Sequence, residues 1–349
     1  MATLAVHTVR LPLRVPVLAA WGELRERELL HVRVEFGRGD FGDGEAAPLE
    51  PYDGVSIAAV RSALDAYAAV LDRADARTTH AELLAACAAE RPLPQALAAI
   101  DLALWDRAGR RTGFPVAQLI AVEATRSVPV NATLVAKDRA GAAEAAAAAA
   151  EAGFRCVKLK VGLGDDAARV AAVRAAAGDE MAIRVDANGI WETPDEALAN
   201  LHALAPAGIE LCEEPVHGVE AMRAVRSRSP VPVAMDETAA EPGAPSSGAA
   251  DAVCLKIARC GGISAVLRDA RAARAAGTKV YVASSFDGPL GTAAGVHAAA
   301  GLRASGPVAY CGLATLGAFE GLEDVLTLRD GEIEVPSGPG LLRGYTSPS

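Results

Sequence analysis

The feature that most constrains the fold is a regular beat in the second part of the chain. From residue 128 onward, short runs rich in β-branched residues alternate with Ala-rich stretches of helix-forming composition. The runs are VPVNATL (128–134), CVKLKVG (156–162), AIRVDANG (182–189), IELCEEP (209–215), VPVAMDE (231–237), AVCLKIA (252–258), KVYVASS (279–285) and VAYCGLA (308–314). Their centres lie about 26 residues apart, which is the length of one strand plus a returning helix. Eight such units close a parallel barrel. The competing architecture, an open doubly wound sheet, places a Gly-rich phosphate loop after its first strand. VNATLVAKD carries no GxGxxG. The pattern therefore predicts an α/β fold built on a closed TIM-type barrel of eight parallel strands.

The residues before the barrel read as α+β. Strand-like runs at 3–12 and 28–36 are followed by the Gly/Pro/Asp-rich loop GRGDFGDGEAAPLEPYDG. Helical patterns follow near 55–71, 79–90 and 94–112, the third opened by prolines and stopped at Gly113. The predicted organisation is an α+β capping domain over 1–125, the barrel over 126–315, and a C-terminal segment over 316–349 that returns to the cap.

Composition narrows the function. The net charge of −10 repels phosphate backbones and anionic lipids, so nucleic-acid and membrane partners are not expected. The first residues carry only Arg10 and Arg14 and no long apolar core of a signal peptide. No apolar run reaches membrane-spanning length. The six cysteines are scattered, without a CxxC pair, as buried reduced thiols would be. The expected compartment is the cytoplasm and the expected partner a small molecule, with homo-oligomerisation left open.

In a barrel, charge at the C-terminal ends of strands marks chemistry. On the second strand Lys158 and Lys160 alternate with Val157, Leu159 and Val161, so the apolar set faces the helices and both lysines face inward. A lysine pair at a solvated strand end is the bland alternative. Inside a barrel, two ammonium groups disfavour each other's charge, which lowers a pKa toward the range of a general base. Asp186, Glu213 and Asp236 then fall at matched positions on three successive strands. A single aspartate there is ordinarily a helix cap. Three carboxylates at matched positions repel strongly unless a hard divalent cation joins them, and oxygen donors suit Mg²⁺. Lys256, on the sixth strand, lies across the ring from the second. Arg184, two residues before Asp186, also faces inward and is placed to hold a distal anionic group. Trp21 and Tyr52 stand on Gly/Pro-flanked loops of the cap, where a lid or an interdomain seam would use them.

At these residues the chain resembles the enolase superfamily, in its muconate lactonizing enzyme subgroup. The motifs are KxK at Lys158-Leu159-Lys160, the VDAN aspartate at Asp186, the ExP glutamate at Glu213, the DE aspartate at Asp236 and the sixth-strand lysine Lys256. The segment AIDLALWD (99–106) adds to the likeness. The resemblance implies one Mg²⁺ held by Asp186, Glu213 and Asp236, with a substrate carboxylate bound to it. It implies a (β/α)7β barrel under an α+β capping domain, abstraction of the proton α to that carboxylate by Lys160, assisted by Lys158, an enediolate held by the metal and the lysines, and Lys256 on the other face as second acid/base or as a cation stabilising the enediolate. Asn131, Asn188, Ser284 and Ser285 join Trp21, Tyr52 and Arg184 as expected substrate contacts. Within the subgroup, RLPLRVPVLAAWGELRERE, VCLKIARCGGISAVL and CGLATLGAFE resemble o-succinylbenzoate synthases, which eliminate water in menaquinone synthesis. Dipeptide epimerases, N-acylamino acid racemases and muconate-type cycloisomerases share the catalytic set and remain alternatives. So does a non-catalytic carboxylate-binding relative. The eighth strand lacks the DxD expected of a dipeptide epimerase.

Overall fold

The computed structural model describes residues 1–19, 22–74, 78–136 and 138–345. Trp21 lies outside the described residues.

The cap begins as a long antiparallel hairpin, β1 (Thr3–Ala19) and β2 (Gly22–Glu35), whose register breaks between Pro12 and Val17. Both strands run well beyond the expected 3–12 and 28–36. A third strand, β3 (Phe41–Ala46), pairs with β2 inside the stretch read as loop. FGDGEA has almost no strand-forming composition. Its glycines answer to packing instead. A Cβ on Gly42 would stand 1.9 Å from the Ala103 carbonyl oxygen, and one on Gly44 2.1 Å from that of Ala99. The backbone of the covering helix therefore lies directly on the strand.

After α1 (Glu50–Asp53), the helices α2 (Ile57–Arg73), α3 (His80–Glu90) and α4 (Pro94–Thr112) fall where the periodicity places them. Ser56 caps α2, Thr79 and Glu82 form a capping box on α3, and α4 ends on left-handed Gly113. Leu30, Val32, Val34, Val60, Leu64, Tyr67, Leu71 and Ile100 form the cap's own core. The short α5 (Val116–Ile120) leads out of it.

The barrel opens with β4 (Ser127–Pro129) and β5 (Ala132–Leu134). Then follow α6 (Arg139–Glu151), β6 (Cys156–Lys160), α7 (Asp166–Ala177), β7 (Ala182–Asp186), α8 (Pro194–Leu204), β8 (Leu211–Glu213), α9 (Val219–Arg226) and β9 (Val233–Met235). β10 (Ala252–Lys256), α10 (Ile257–Cys260), α11 (Ile263–Ala275), β11 (Lys279–Ala283) and α12 (Pro289–Ala304) complete the set. The strands from β5 to β11 form one parallel sheet in chain order. The eighth stave is represented by two parallel bridges, Val130 with Cys311 and Ala283 with Gly312. Five backbone hydrogen bonds from Ala309, Cys311 and Gly312, two on the side of Pro129 and Asn131 and three on the side of Val280, Val282 and Ser284, join it to both neighbours and close the ring. One crossover departs from the α-helical pattern. The segment between β9 and β10 forms two 3-10 turns, Glu237–Ala240 and Ala244–Ser246, because the prolines and glycines of EPGAPSSG deny an α-helix its donors and stiffness.

The last segment divides its contacts. β12 (Leu328–Arg329) and β13 (Glu332–Glu334) form a hairpin that pairs with β4 at the foot of the barrel. Phe319 bridges to Leu13, and the Leu341 amide donates to Asp106 on α4, both in the cap. Among the described residues no helix is long and apolar enough to cross a membrane.

Candidate active site

Strand alternation sets the site. Val157 and Leu159 are fully buried on the outer face of β6, and Val161 nearly so. Lys158 and Lys160 therefore point into the ring. Register then aligns Lys160 with Asp186 and Asp186 with Glu213 across adjacent strands. Lys158 Nζ lies 2.9 Å from Asp186 Oδ2 and 2.7 Å from Glu213 Oε1. Across the ring, Lys256 Nζ is 2.6 Å from Asp236 Oδ1. All three carboxylates are buried.

The electrostatics correct one expectation. The two lysines of β6 do not settle against each other. Burial alone would lower the Lys158 pKa, but Asp186 and Glu213 outweigh it and hold the ammonium well above its usual range. For Asp236, burial favours the acid, yet Lys256 and Arg259 prevail and depress its pKa. Glu213 goes the other way: burial raises it, and Lys158 does not fully offset that. A sunken carboxylate still short of positive charge is where a cation gains most. Glu213, Asp236 and Cys254 each offer a ligand atom within 4.8 Å of the others. Asp186 lies outside that group and is joined to Glu213 through Lys158; with Glu213 and Asp236 it would supply the oxygen donors Mg²⁺ prefers. Burial raises the Cys254 thiol well above its usual range, and a protonated sulfur is a poor partner for a hard ion. The residues present thus fit a divalent cation.

Other expected contacts separate. Tyr52, on α1, donates to Asp236 Oδ2 at 2.9 Å and accepts from Lys256 Nζ at 2.6 Å and from Arg259. The cap thereby reaches the centre of the barrel mouth. Asn131 is buried with its Nδ2 unpartnered, and the Ser285 hydroxyl is likewise buried without a partner. Both retain hydrogen-bonding capacity. Ser284 instead braces its own loop, accepting from the Asp287 amide at 2.8 Å and from the Thr315 hydroxyl. Asn188 bonds Lys160 and Glu237.

Arg184 faces inward as alternation requires, but it does not reach the mouth. Its Nε bonds Glu210 Oε2 at 2.9 Å and its NH1 the Tyr310 carbonyl at 2.7 Å, with the guanidinium 4.9 Å from the Tyr281 ring centre. Glu210 precedes β8 and Tyr310 begins the eighth stave, so both lie toward the foot. A long side chain at mid-strand has reach in two directions, and Glu210 attracts this one downward.

Several groups at the site went unrecognised in the sequence. Arg259 on α10 grips the Asp236 and Glu237 carbonyls at 3.0 and 2.7 Å. Tyr281 donates to Glu213 Oε2 at 2.7 Å. Glu214, fully buried at a positive φ of 41°, accepts from the Asp236 amide at 2.6 Å and from the Thr238 amide at 2.9 Å. The doublet Glu213-Glu214 thus sends one carboxylate into the ring and uses the next to tie two strand ends together. Lys256-Ile-Ala-Arg259 carried a one-turn spacing that offered the only sequence signal for Arg259.

Two family models match the chain: "Enolase C-terminal domain-like" over residues 141–342, and "Mandelate racemase / muconate lactonizing enzyme, N-terminal domain" over residues 1–121. The N-succinyl-L-Arg/Lys racemase of Bacillus cereus is 30% identical over 330 residues, 86% of this chain and 84% of that protein. The crystal structure of that racemase superposes with a TM-score of 0.88 at 28% identity, covering 97% of this chain and 94% of the other. The o-succinylbenzoate synthase of Thermobifida fusca is 39% identical over 199 residues, 54% of this chain and 60% of that protein. A dipeptide epimerase of Enterococcus faecalis, solved with Mg and the dipeptide L-Leu-L-Tyr, superposes with a TM-score of 0.87 at 25% identity, covering 97% of this chain and 98% of the other. With its capped (β/α)7β barrel and these matches across both parts of the chain, the protein belongs to the enolase superfamily, in the muconate lactonizing enzyme subgroup.

Proposed function

We propose that this enzyme removes the proton α to a substrate carboxylate and stabilises the resulting enediolate, and that its reaction is the dehydration that forms o-succinylbenzoate. One observation carries the proton-abstraction reading: Lys160 and Lys256 stand on opposite sides of the ring with Asp186, Glu213 and Asp236 between them. A cation held by those three carboxylates would supply Lewis-acid stabilisation of the developing negative charge. Lys160 takes the α-proton. Lys256 contributes positive charge on the opposite face, and Lys158 completes the field around the carboxylate. Asn131 Nδ2 and the Ser285 hydroxyl, both unpartnered, are available to the substrate's remaining polar groups.

The o-succinylbenzoate synthase relative and the motif likeness support dehydration. Against dipeptide epimerisation, Gly312, Leu313 and Ala314 at the end of the eighth stave carry no carboxylate to meet a dipeptide ammonium. Muconate-type cycloisomerisation has the support of muconate cycloisomerase relatives, one of them 31% identical over 94% of this chain. The second reading, racemisation of an N-succinylamino acid, is favoured by the racemase relative and by a lysine on each face.

Lys256→Arg separates the two. A 1,1-proton transfer needs both lysines to move protons, whereas a syn elimination needs one base and a charge opposite it. Arginine keeps the charge but does not give up a proton. Dehydration of the succinyl-cyclohexadiene substrate is expected to survive this change at about a tenth of the wild-type rate or better, followed by ultraviolet absorbance of the aromatic product. Wild-type enzyme that racemises an N-succinylamino acid rapidly and forms no aromatic product would replace dehydration with racemisation.

A further inference from the structure

We infer that Asn188 and Glu237 form a two-link brace that aims Lys160 at the substrate, so that both are positioning residues for one face of the reaction. The inference rests on the reading of Lys160 as the base. A lysine ammonium sits on a flexible four-carbon stem and donates in any direction, so its aim must come from its partner. Lys256 has two such partners, Asp236 and Tyr52. Lys160 Nζ donates to Asn188 Oδ1.

An asparagine can serve as an aiming device only if its amide cannot turn over. Here both ends of the amide are determined by chemistry. Lys160 offers only donors, so Oδ1 faces it, which turns Nδ2 toward Glu237 Oε1 as donor at 3.1 Å. The backbone of Asn188 is fixed as well. It holds a left-handed φ of 46°, a conformation asparagine tolerates better than most residues. Its amide donates to Asp186 Oδ1 at 3.0 Å, and the next amide, Gly189, donates to the Glu214 carbonyl at 2.6 Å. The far link is anchored too, since Arg259 grips the Glu237 carbonyl at 2.7 Å. Glu237 Oε2 is buried and has no partner, so no other protein group competes with Asn188 for this carboxylate through that oxygen. The brace thus runs from the end of β9, through the end of β7, to the last residue of β6. It explains why the amide of Asn188 is aimed at two protein groups rather than at a substrate.

The test uses Asn188→Ala, Glu237→Ala, Glu237→Gln and the double alanine variant. Crystal structures of the Mg²⁺-loaded variants without substrate read the aim directly. In both single alanine variants Lys160 is expected to leave its rotamer while Lys256 keeps its own. Glu237→Gln, which retains an acceptor for Nδ2, is expected to restore the wild-type position. The kinetic readout is α-deuterium exchange from each enantiomer of an N-succinylamino acid, with Lys160→Ala marking the enantiomer that uses Lys160. Misplacing a reacting group by about 1 Å costs on the order of 100-fold. That loss is expected for the marked enantiomer in both single variants and, without further loss, in the double variant, with the other enantiomer within a few fold of wild type. Lys160 unmoved in Glu237→Ala, or exchange from both enantiomers falling equally, overturns the brace. Wild-type enzyme that exchanges neither enantiomer while Lys160 moves as expected leaves the brace standing and removes proton abstraction from this substrate class.

Discussion

The two ends of the barrel use the same residue types to opposite effect. At the foot, the buried Arg184 and the half-buried Arg174 are held by several acceptors each. Arg184 bonds Glu210 and the Tyr310 carbonyl, and Arg174 bonds the carbonyls of Ala207, Gly178, Met181 and Gly208. At the mouth, charges outnumber the arrangements that satisfy them. Lys158 serves two carboxylates at once, and the side chains of Asn131, Glu237, Ser285 and Asp287 each keep a buried polar atom without a partner. Backbone strain is concentrated at the mouth, with Asp330 in the hairpin at the foot as an exception. Among the described non-glycine residues with positive φ, Asn188, Glu214 and Phe286 directly follow strands at the mouth. The foot is not wholly without loose ends, since the Arg303 Nε is also unpartnered beside a cavity of about 380 Å³. The difference teaches that buried charge is no marker of chemistry by itself. Charge whose partners are too few is the marker, because a ligand or cation can still complete it.

This contrast predicts that substitutions at the mouth alter rate and those at the foot alter stability. The largest effect is expected for Asp236→Asn or Glu213→Gln. Either should lower kcat/KM roughly a thousandfold, as removal of several kcal/mol of Lewis-acid stabilisation requires, and excess chelator should abolish wild-type activity. Full activity in chelator would break the comparison at its stronger end. Arg184→Met is expected to cost about 1.5–3 kcal/mol of folding free energy, read from the denaturant midpoint, through its lost charged hydrogen bonds, with kcat within a few fold of wild type. A raised KM at unchanged stability would return Arg184 to the substrate.

The smallest effect concerns Asp287, whose carboxyl is pushed up to about 7, first by burial and then by the nearby Glu45, against which Arg27 pulls only partly. A raised folded-state pKa favours the protonated acid, so the native state holds a proton that the unfolded chain has released. Stability should therefore fall as pH rises from about 4 to about 7, by at most about 1.4 kcal/mol per pH unit from this group. Asp287→Asn should flatten that slope in thermal unfolding, and an unchanged slope would exclude Asp287 as its source.

Much of this was legible in the sequence. Strand parity placed Lys158 and Lys160 inside, and the spacing of Asp186, Glu213, Asp236 and Lys256 brought them to one mouth. Periodicity has that power because a barrel repeats one geometry eight times. It fails where geometry is not repeated. Parity put Arg184 inside but could not decide whether its head turned to the mouth or to Glu210. β3 escaped notice because Gly42 and Gly44 answer to the backbone of α4 rather than to strand propensity. Tyr52 meets Asp236 across 184 positions of chain, a contact no local pattern encodes. The roles of the lysines and carboxylates remain proposals that the tests above address.

The eighth stave has one further consequence. The ring is closed along that side by five backbone hydrogen bonds, two toward β5 and three toward β11; β8–β9 and β9–β10 likewise pair over two residues each, whereas β6–β7 and β10–β11 pair over five. A hoop under thermal load opens where it has the fewest rungs, so excursions of the barrel begin at this seam and around β9 rather than along β6–β7 or β10–β11. Asn131 and Ser284 flank the seam on either side. Breathing at either place would loosen a wall of the mouth, which makes the vessel compliant on two sides and stiff along β6–β7 and β10–β11.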